Sequence, residues 1–284
     1  TNITAGLVEG DLWIQRSLGT GDIGEMFLAK RLSNNQKLYL KALTPAVTVE
    51  PQATNAFLAA LSRAGDLSHP NLLPVVETGM MAGQHIYVMP FQPGTSIQAL
   101  VDAEGPMPER DALKIAMKTA RCLRMVNEER GLVHGSLKPG NIVVDDEGEP
   151  YILELDNFKR VLAGSMLTLD HLNKAGCVAD YMSPEQAQGW PQLDARSDIY
   201  ALGATLYFML TGRKPYEGPD TRTVLHHHLN SGVPDPRKLN SEVSAETADL
   251  VFGMMDKEPE ERYQSGRELV DEMKDLLRSH APGT

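Results

Sequence analysis

The sequence predicts an α+β fold of two lobes, a small β-rich lobe followed by a larger helical one. Three observations predict it. Short strand-like runs fill the chain to about residue 91, and apolar residues recur at helical spacing beyond Gln92-Pro93-Gly94. A glycine-rich turn, Gly19-Thr20-Gly21-Asp22-Ile23-Gly24, lies between two of the strands. The length of 284 residues suits one domain, 1–284, whose lobes share a cleft. The β-rich lobe runs over about 1–91, the connector over about 90–94 and the helical lobe over about 95–279.

The elements follow in order. Asp11–Gln15, Met26–Lys30 and Lys37–Leu43 read as strands, with Ser33-Asn34-Asn35 as the hairpin turn between the last two. A helix is expected over Gln52–Leu67, stopped by Ser68-His69-Pro70-Asn71. Leu72–Thr78 and His85–Phe91 are further strand candidates. Ala99–Asp102, Glu109–Arg130, Asp198–Thr211, Ala245–Met255 and Gly266–Arg278 carry helical periodicity.

Composition narrows the partners. Hydrophobic residues at 42% and charged residues at 23% describe a folded globule. The formal charge is −11, which repels nucleic-acid phosphates and anionic lipid heads, so neither nucleic acid nor membrane is an expected partner. No stretch approaches the roughly 18 consecutive apolar residues of a membrane span. Thr1-Asn2-Ile3-Thr4 lacks the features of a signal peptide, and without an initiator Met the chain is expected to be a domain of a longer protein. The two cysteines, Cys122 and Cys177, are far apart and are expected to be reduced thiols in the cytoplasm.

Two motifs carry chemistry. In Gly19-Thr20-Gly21-Asp22-Ile23-Gly24 the glycines let backbone close over phosphate, and a lysine, Lys41, follows on a strand. The second is the octapeptide His134-Gly135-Ser136-Leu137-Lys138-Pro139-Gly140-Asn141. Together they resemble the eukaryotic-type protein kinase family, in particular bacterial Ser/Thr kinases. The likeness spans nearly the whole chain. Tyr87-Val88-Met89-Pro90-Phe91-Gln92 resembles the strand and hinge that hold adenine, with Met89 as gatekeeper, a Pro90 carbonyl and a Gln92 N–H donor. Tyr181-Met182-Ser183-Pro184-Glu185 is similar to the Ala-Pro-Glu motif, and Arg262 matches the arginine that pairs with Glu185. Asp198 matches the aspartate that anchors the catalytic-loop backbone, and His134 the loop's histidine. The resemblance implies ATP as ligand, held by Gly19, Gly21, Gly24, Met26, Lys41, Met89, Pro90, Gln92, Lys138 and Asn141, with Mg or Mn.

The departures fall on the chemistry. Ser136 stands where the family has the aspartate that accepts the substrate's proton, a loss that typically costs about a hundred- to ten-thousand-fold in rate. Gly135 removes a neighbouring arginine, and Cys177 replaces a threonine that contacts that aspartate. Counting on from Asn141 at the family's spacing puts Glu154 at the metal-binding position, with Asp156 two positions late. Glu154 and Asn141 are thus the metal candidates, with the longer glutamate ill-suited to octahedral Mg²⁺. The helix glutamate that would clamp Lys41 falls at Ala60, and no acidic residue occurs from Pro51 to Gly65. Tyr39 replaces a small alanine where adenine packs; side-chain alternation puts it on the same face as Lys41, about 7 Å away. It either stacks on the base or fills the pocket, and filling is the expectation. His226-His227-His228 reads as satisfied or exposed helical histidines; Ser165, Thr168 and Thr223 are candidate phosphorylation sites, the first two in the activation segment by resemblance, though most loop hydroxyls are simply solvated.

The expected function is therefore that of a pseudokinase with no intact catalytic residue, a signalling scaffold or allosteric module working on a protein partner. The alternative is an ATP-dependent Ser/Thr kinase with a rearranged, slow site. Nothing in the sequence speaks to oligomeric state.

Overall fold

The structure is a computed structural model that describes residues 3–21, 24–45, 48, 54, 67–153, 179–190 and 192–279. The chain divides into two compact units: residues 1–68, 73–93 and 167–177, and residues 69–72, 94–166 and 178–284.

Six strands form one antiparallel sheet in the first unit: β1 (Val8–Glu9), β2 (Leu12–Thr20), β3 (Gly24–Arg31), β4 (Lys37–Leu43), β5 (Glu77–Met81) and β6 (Gln84–Pro90). Their order is β1-β2-β3-β4-β6-β5. Alternation along β4 sends Leu38, Leu40 and Ala42 into one apolar cluster with Leu12, Ile14, Phe27, Ala29, Ile86 and Val88. Each large aliphatic side chain buried there stabilises the sheet by roughly 1.5–3 kcal/mol. The same alternation forces Tyr39 and Lys41 to the opposite face, where both are buried. Register shifts at Ile14/Arg16 and Ser17/Gly19 interrupt β2 before the glycine turn, and such bulges bend and twist a strand.

The β5–β6 turn uses Ala82 (φ 48°) and Gly83 (φ 79°), the paired positive φ of a tight hairpin. The strand expected over Leu72–Thr78 begins only at Glu77. Pro74 has no N–H to donate, and the residues before it are engaged elsewhere. Asn71 accepts from Ile152 N–H (2.8 Å) and its side chain donates to the Pro150 carbonyl (2.8 Å). Apart from Thr54, which is helical, and Leu67, the helix expected over Gln52–Leu67 lies outside the described residues.

The second unit holds a small sheet, β7 (Thr95–Ser96), β8 (Ile142–Val144) and β9 (Pro150–Ile152), and seven α-helices among the described residues. These are α1 (Ile97–Glu104), α2 (Glu109–Arg130), α3 (Pro184–Ala187), α4 (Ala195–Thr211), α5 (Thr221–Asn230), α6 (Ala245–Met254) and α7 (Gly266–Ser279). Side-chain caps fix several starts: Ser96 accepts from Ala99 N–H, Asp194 from Arg196 N–H and Ser244 from Thr247 N–H. The Asp194 cap carries α4 three residues further back than apolar periodicity alone predicts. Every residue of α4 from Ser197 to Thr211 is buried, which makes it the unit's central helix. It passes close to α6 at Gly203, where a Cβ would stand 2.7 Å from that of Met254. The short α3 leaves no periodic signal in the sequence, while α5 agrees with the helical reading of His226-His227-His228. No helix among the described residues is long and apolar enough to cross a membrane.

Candidate functional site

In the first unit the candidate residues converge on the Tyr39/Lys41 face of β4. The glycine turn closes through Gly21 N–H donating to the Gly24 carbonyl (2.8 Å), and Gly19 takes φ 121°. Gly24 lies against β4, where a Cβ would sit 1.9 Å from the Ala42 carbonyl oxygen, so only glycine fits. A Cβ on Gly21 would come within 3.0 Å of Lys41 Nζ. The turn therefore rests directly on the lysine, which is only 3% exposed. Met26 lies opposite Lys41 in the β3–β4 register.

Tyr39 lies opposite Met89, which is fully buried, and Leu38 opposite Pro90. The Tyr39 hydroxyl donates to the Gln92 carbonyl at 3.0 Å, and its ring sits 5.0 Å from that of Phe91. Burial raises the phenol's pKa, so the group remains a neutral donor. The chain is pinned alongside by Phe91 N–H donating to the Lys37 carbonyl, with the Lys37 ammonium 5.7 Å from the Phe91 ring. Gln92 N–H has no acceptor among the described residues, so the donor survives while its neighbouring carbonyl is taken. A purine needs the flat space that a small side chain at position 39 would leave. Position 39 carries a tyrosine instead, its hydroxyl bonded across to Gln92.

In the second unit the octapeptide is held by its backbone. Asp198, at the start of α4, accepts from His134 N–H (2.8 Å) and Gly135 N–H (2.9 Å). Burial pushes the Asp198 pKa up to about 7, against those two donors, which favour the charged form. Gly135 takes φ 71°, which suits glycine, and its carbonyl accepts from the Gln186 side chain at 2.7 Å. His134 Nε2 contacts the Leu153 carbonyl (3.0 Å), leaving Nδ1 toward the N–H and hydroxyl of Ser136 at 3.3 and 3.4 Å. The Asn141 amide donates to the Ser136 carbonyl (3.1 Å), so part of a predicted metal ligand is engaged in shaping the loop. Lys138 is half-buried. Glu154, Asp156, Ala60, Cys177, Ser165 and Thr168 lie outside the described residues.

Glu185 and Arg262 form a bidentate pair, both contacts 2.8 Å, with both side chains buried. Burial pushes the Glu185 carboxyl up, but the guanidinium and the Ser197 hydroxyl (2.6 Å) outweigh it and leave the pKa below the usual range. The remaining Arg262 donors reach the carbonyls of Asp256, Arg196 and Lys257. Sequence reasoning missed Ser197 and Gln186, whose roles depend on contacts no local pattern announces. Of the three histidines, His228 is buried, His227 stacks on Tyr216 and His226 is exposed. Thr223 bonds the α5 cap residue Asp220, and Cys122 is a buried free thiol whose pKa burial pushes up to about 12.

The family model for the protein kinase domain matches residues 13–274. This chain belongs to the protein kinase family. Among relatives of this kinase domain, a DNA damage-responsive serine/threonine-protein kinase, RqkA, of Deinococcus radiodurans is 33% identical over 98% of the chain and 42% of the relative. The serine/threonine-protein kinase PknB of Mycobacterium leprae is 30% identical over 93% of the chain and 42% of the relative. The kinase domain thus spans about two fifths of the length of these curated relatives. The PknI kinase domain of Mycobacterium tuberculosis superposes with a TM-score of 0.74 at 21% identity, covering 97% of this chain and 99% of that one. The two units are therefore the β-rich and helical lobes of a kinase-like fold, in a domain of the bacterial Ser/Thr kinase type.

Proposed function

We propose that this kinase domain is a pseudokinase, a cytoplasmic regulatory module that works by binding a protein partner rather than by transferring phosphate. The observation that carries this reading is the Tyr39 hydroxyl bonded to the Gln92 carbonyl, which fills the space a purine requires. Ser136 supports it: a hydroxyl facing His134 cannot act as the ionised proton acceptor that phosphoryl transfer uses near neutral pH. Proton acceptor and base pocket act as one unit, so joint loss weighs more than any single change.

A second reading is a slow ATP-dependent Ser/Thr kinase using Mg or Mn. The family membership and the names of the relatives favour it, as do the retained Lys41, Lys138 and Asn141. Thermal-shift titration with ATP, with and without Mg²⁺ or Mn²⁺, paired with an autophosphorylation assay, separates the two. The pseudokinase reading expects no saturable shift and no phosphate incorporation. Incorporation that disappears in Lys41→Met would overturn it in favour of the enzyme.

A further inference from the structure

The β5 strand is an open edge of the first unit's sheet. It comes last in the strand order and pairs only with β6. Across the Ala82-Gly83 turn Met81 faces Gln84, and the closing pair of a two-residue hairpin exchanges both of its backbone hydrogen bonds. Bonded and non-bonded pairs then alternate, so Gly79 and Glu77 also bond inward, to Ile86 and Val88. The N–H and C=O groups of Thr78 and Met80 therefore point away from the sheet. Among the described residues no strand pairs with that side.

The two edges of the sheet are treated differently. At the far edge β1 is only two residues long, and its Glu9 carboxylate accepts the Ala82 N–H at 2.8 Å. β5 has five residues, Glu77–Met81, with no proline or lysine, the residues that commonly guard an exposed edge. Glu77, Gly79 and Met80 are all exposed. Large apolar side chains stand at both ends, Val76 at 53% and Met80 at 54% exposure. Two of the six exposed large hydrophobic side chains among the described residues thus flank one free edge.

Charge selects what would cover it. The charged groups tied to this edge by hydrogen bonds and ion pairs are Glu9, Asp11, Glu77 and Arg31. Arg31 bonds Glu77 at 2.6 Å and lies 3.8 Å from Asp11, so three carboxylates surround one guanidinium. The whole chain carries −11. A second copy would bring the same excess of negative charge, which opposes its approach, whereas a cationic segment is drawn in.

We propose that the β5 edge is the docking site for the protein partner, which adds an extended segment of alternating apolar and basic residues as a further strand. The segment's backbone bonds Thr78 and Met80, its apolar side chains pack on Val76 and Met80, and its basic ones meet the carboxylates of Glu9, Asp11 and Glu77. This rests on the reading of the domain as a binding module and names the surface that module uses. Docking here needs no nucleotide, so its test stands or fails apart from the ATP titration.

Fluorescence anisotropy of a labelled peptide of alternating valine and lysine, titrated with the folded chain, tests it. The wild type should bind it saturably. The same peptide N-methylated throughout has no backbone donors and should bind at least about tenfold more weakly, as should a peptide of alternating valine and glutamate. Thr78→Pro removes an outward donor and leaves the inward ladder intact, so it should weaken binding by a similar factor, with urea unfolding to confirm the fold. Met80→Lys, at an exposed side chain, should do the same and serves if Thr78→Pro does not fold. No saturable binding by the wild type, equal binding of the N-methylated peptide, or unchanged binding by the folded variants overturns the proposal. So does a wild-type dimer in sedimentation velocity that Met80→Lys dissolves, which would assign the edge to a second copy.

Discussion

The Glu185–Arg262 region of the helical lobe and the Tyr39–Lys41 face of the β-rich lobe both bury polar groups, but in opposite ways. Around Arg262 every charge meets a partner: a bidentate carboxylate, the Ser197 hydroxyl and three backbone carbonyls. Asp198 likewise holds two backbone N–H groups of the 134–141 loop. These are the contacts that shape the fold, and they are complete. On the β4 face, by contrast, a group that would meet a substrate is altered: a tyrosine stands at position 39 and bonds the Gln92 carbonyl. The scaffold is intact while the reactive surface has changed. Each lost buried partner is costly, so a chain that must still fold keeps them.

The sharpest way to break this comparison is to remove one side of the intact pair. Arg262→Ala leaves Glu185 buried without its cation and should cost about 3–5 kcal/mol in urea unfolding. A loss under about 1 kcal/mol would remove the contrast between the two regions. A smaller effect is expected from pH at His228. Its native pKa is depressed to about 3 by burial, so below about pH 6.5 the unfolded chain binds a proton that the native protein does not. Stability is present above that pH and falls with acid, by about 2 kcal/mol at pH 5. The stability–pH profile of His228→Gln should lack this component. Smaller again is Tyr39→Phe, which removes only the hydrogen bond to Gln92 and should cost about 1 kcal/mol. Smallest is Ser136→Asp. If the missing base were the sole defect, restoring it would raise phosphate incorporation about a hundred- to ten-thousand-fold. With Tyr39 still in place, we expect less than about tenfold over background.

Much of the fold is legible in the sequence because its signals are local. The Glu109–Arg130 helix and the Lys37–Leu43 strand follow from periodicity alone, and observed and expected bounds coincide. The Leu72–Thr78 segment does not, since Asn71 is drawn to Pro150 and Ile152, far along the chain. The pairing of Glu185 with Arg262 was legible only through family resemblance, because 77 residues separate them. Tyr39 was flagged by the family resemblance, which puts a small alanine there, and by strand alternation, yet its bond to a backbone carbonyl depends on where the chain turns after Phe91.

The central claim is that Tyr39 closes the purine space. Isothermal calorimetry of ATP with Mg²⁺ against the wild-type chain and Tyr39→Ala tests it most directly, with urea unfolding to confirm that the variant is folded. The account predicts no saturable binding by the wild type and saturable binding by Tyr39→Ala. Saturable ATP binding by the wild type, or none by a folded Tyr39→Ala, would contradict it.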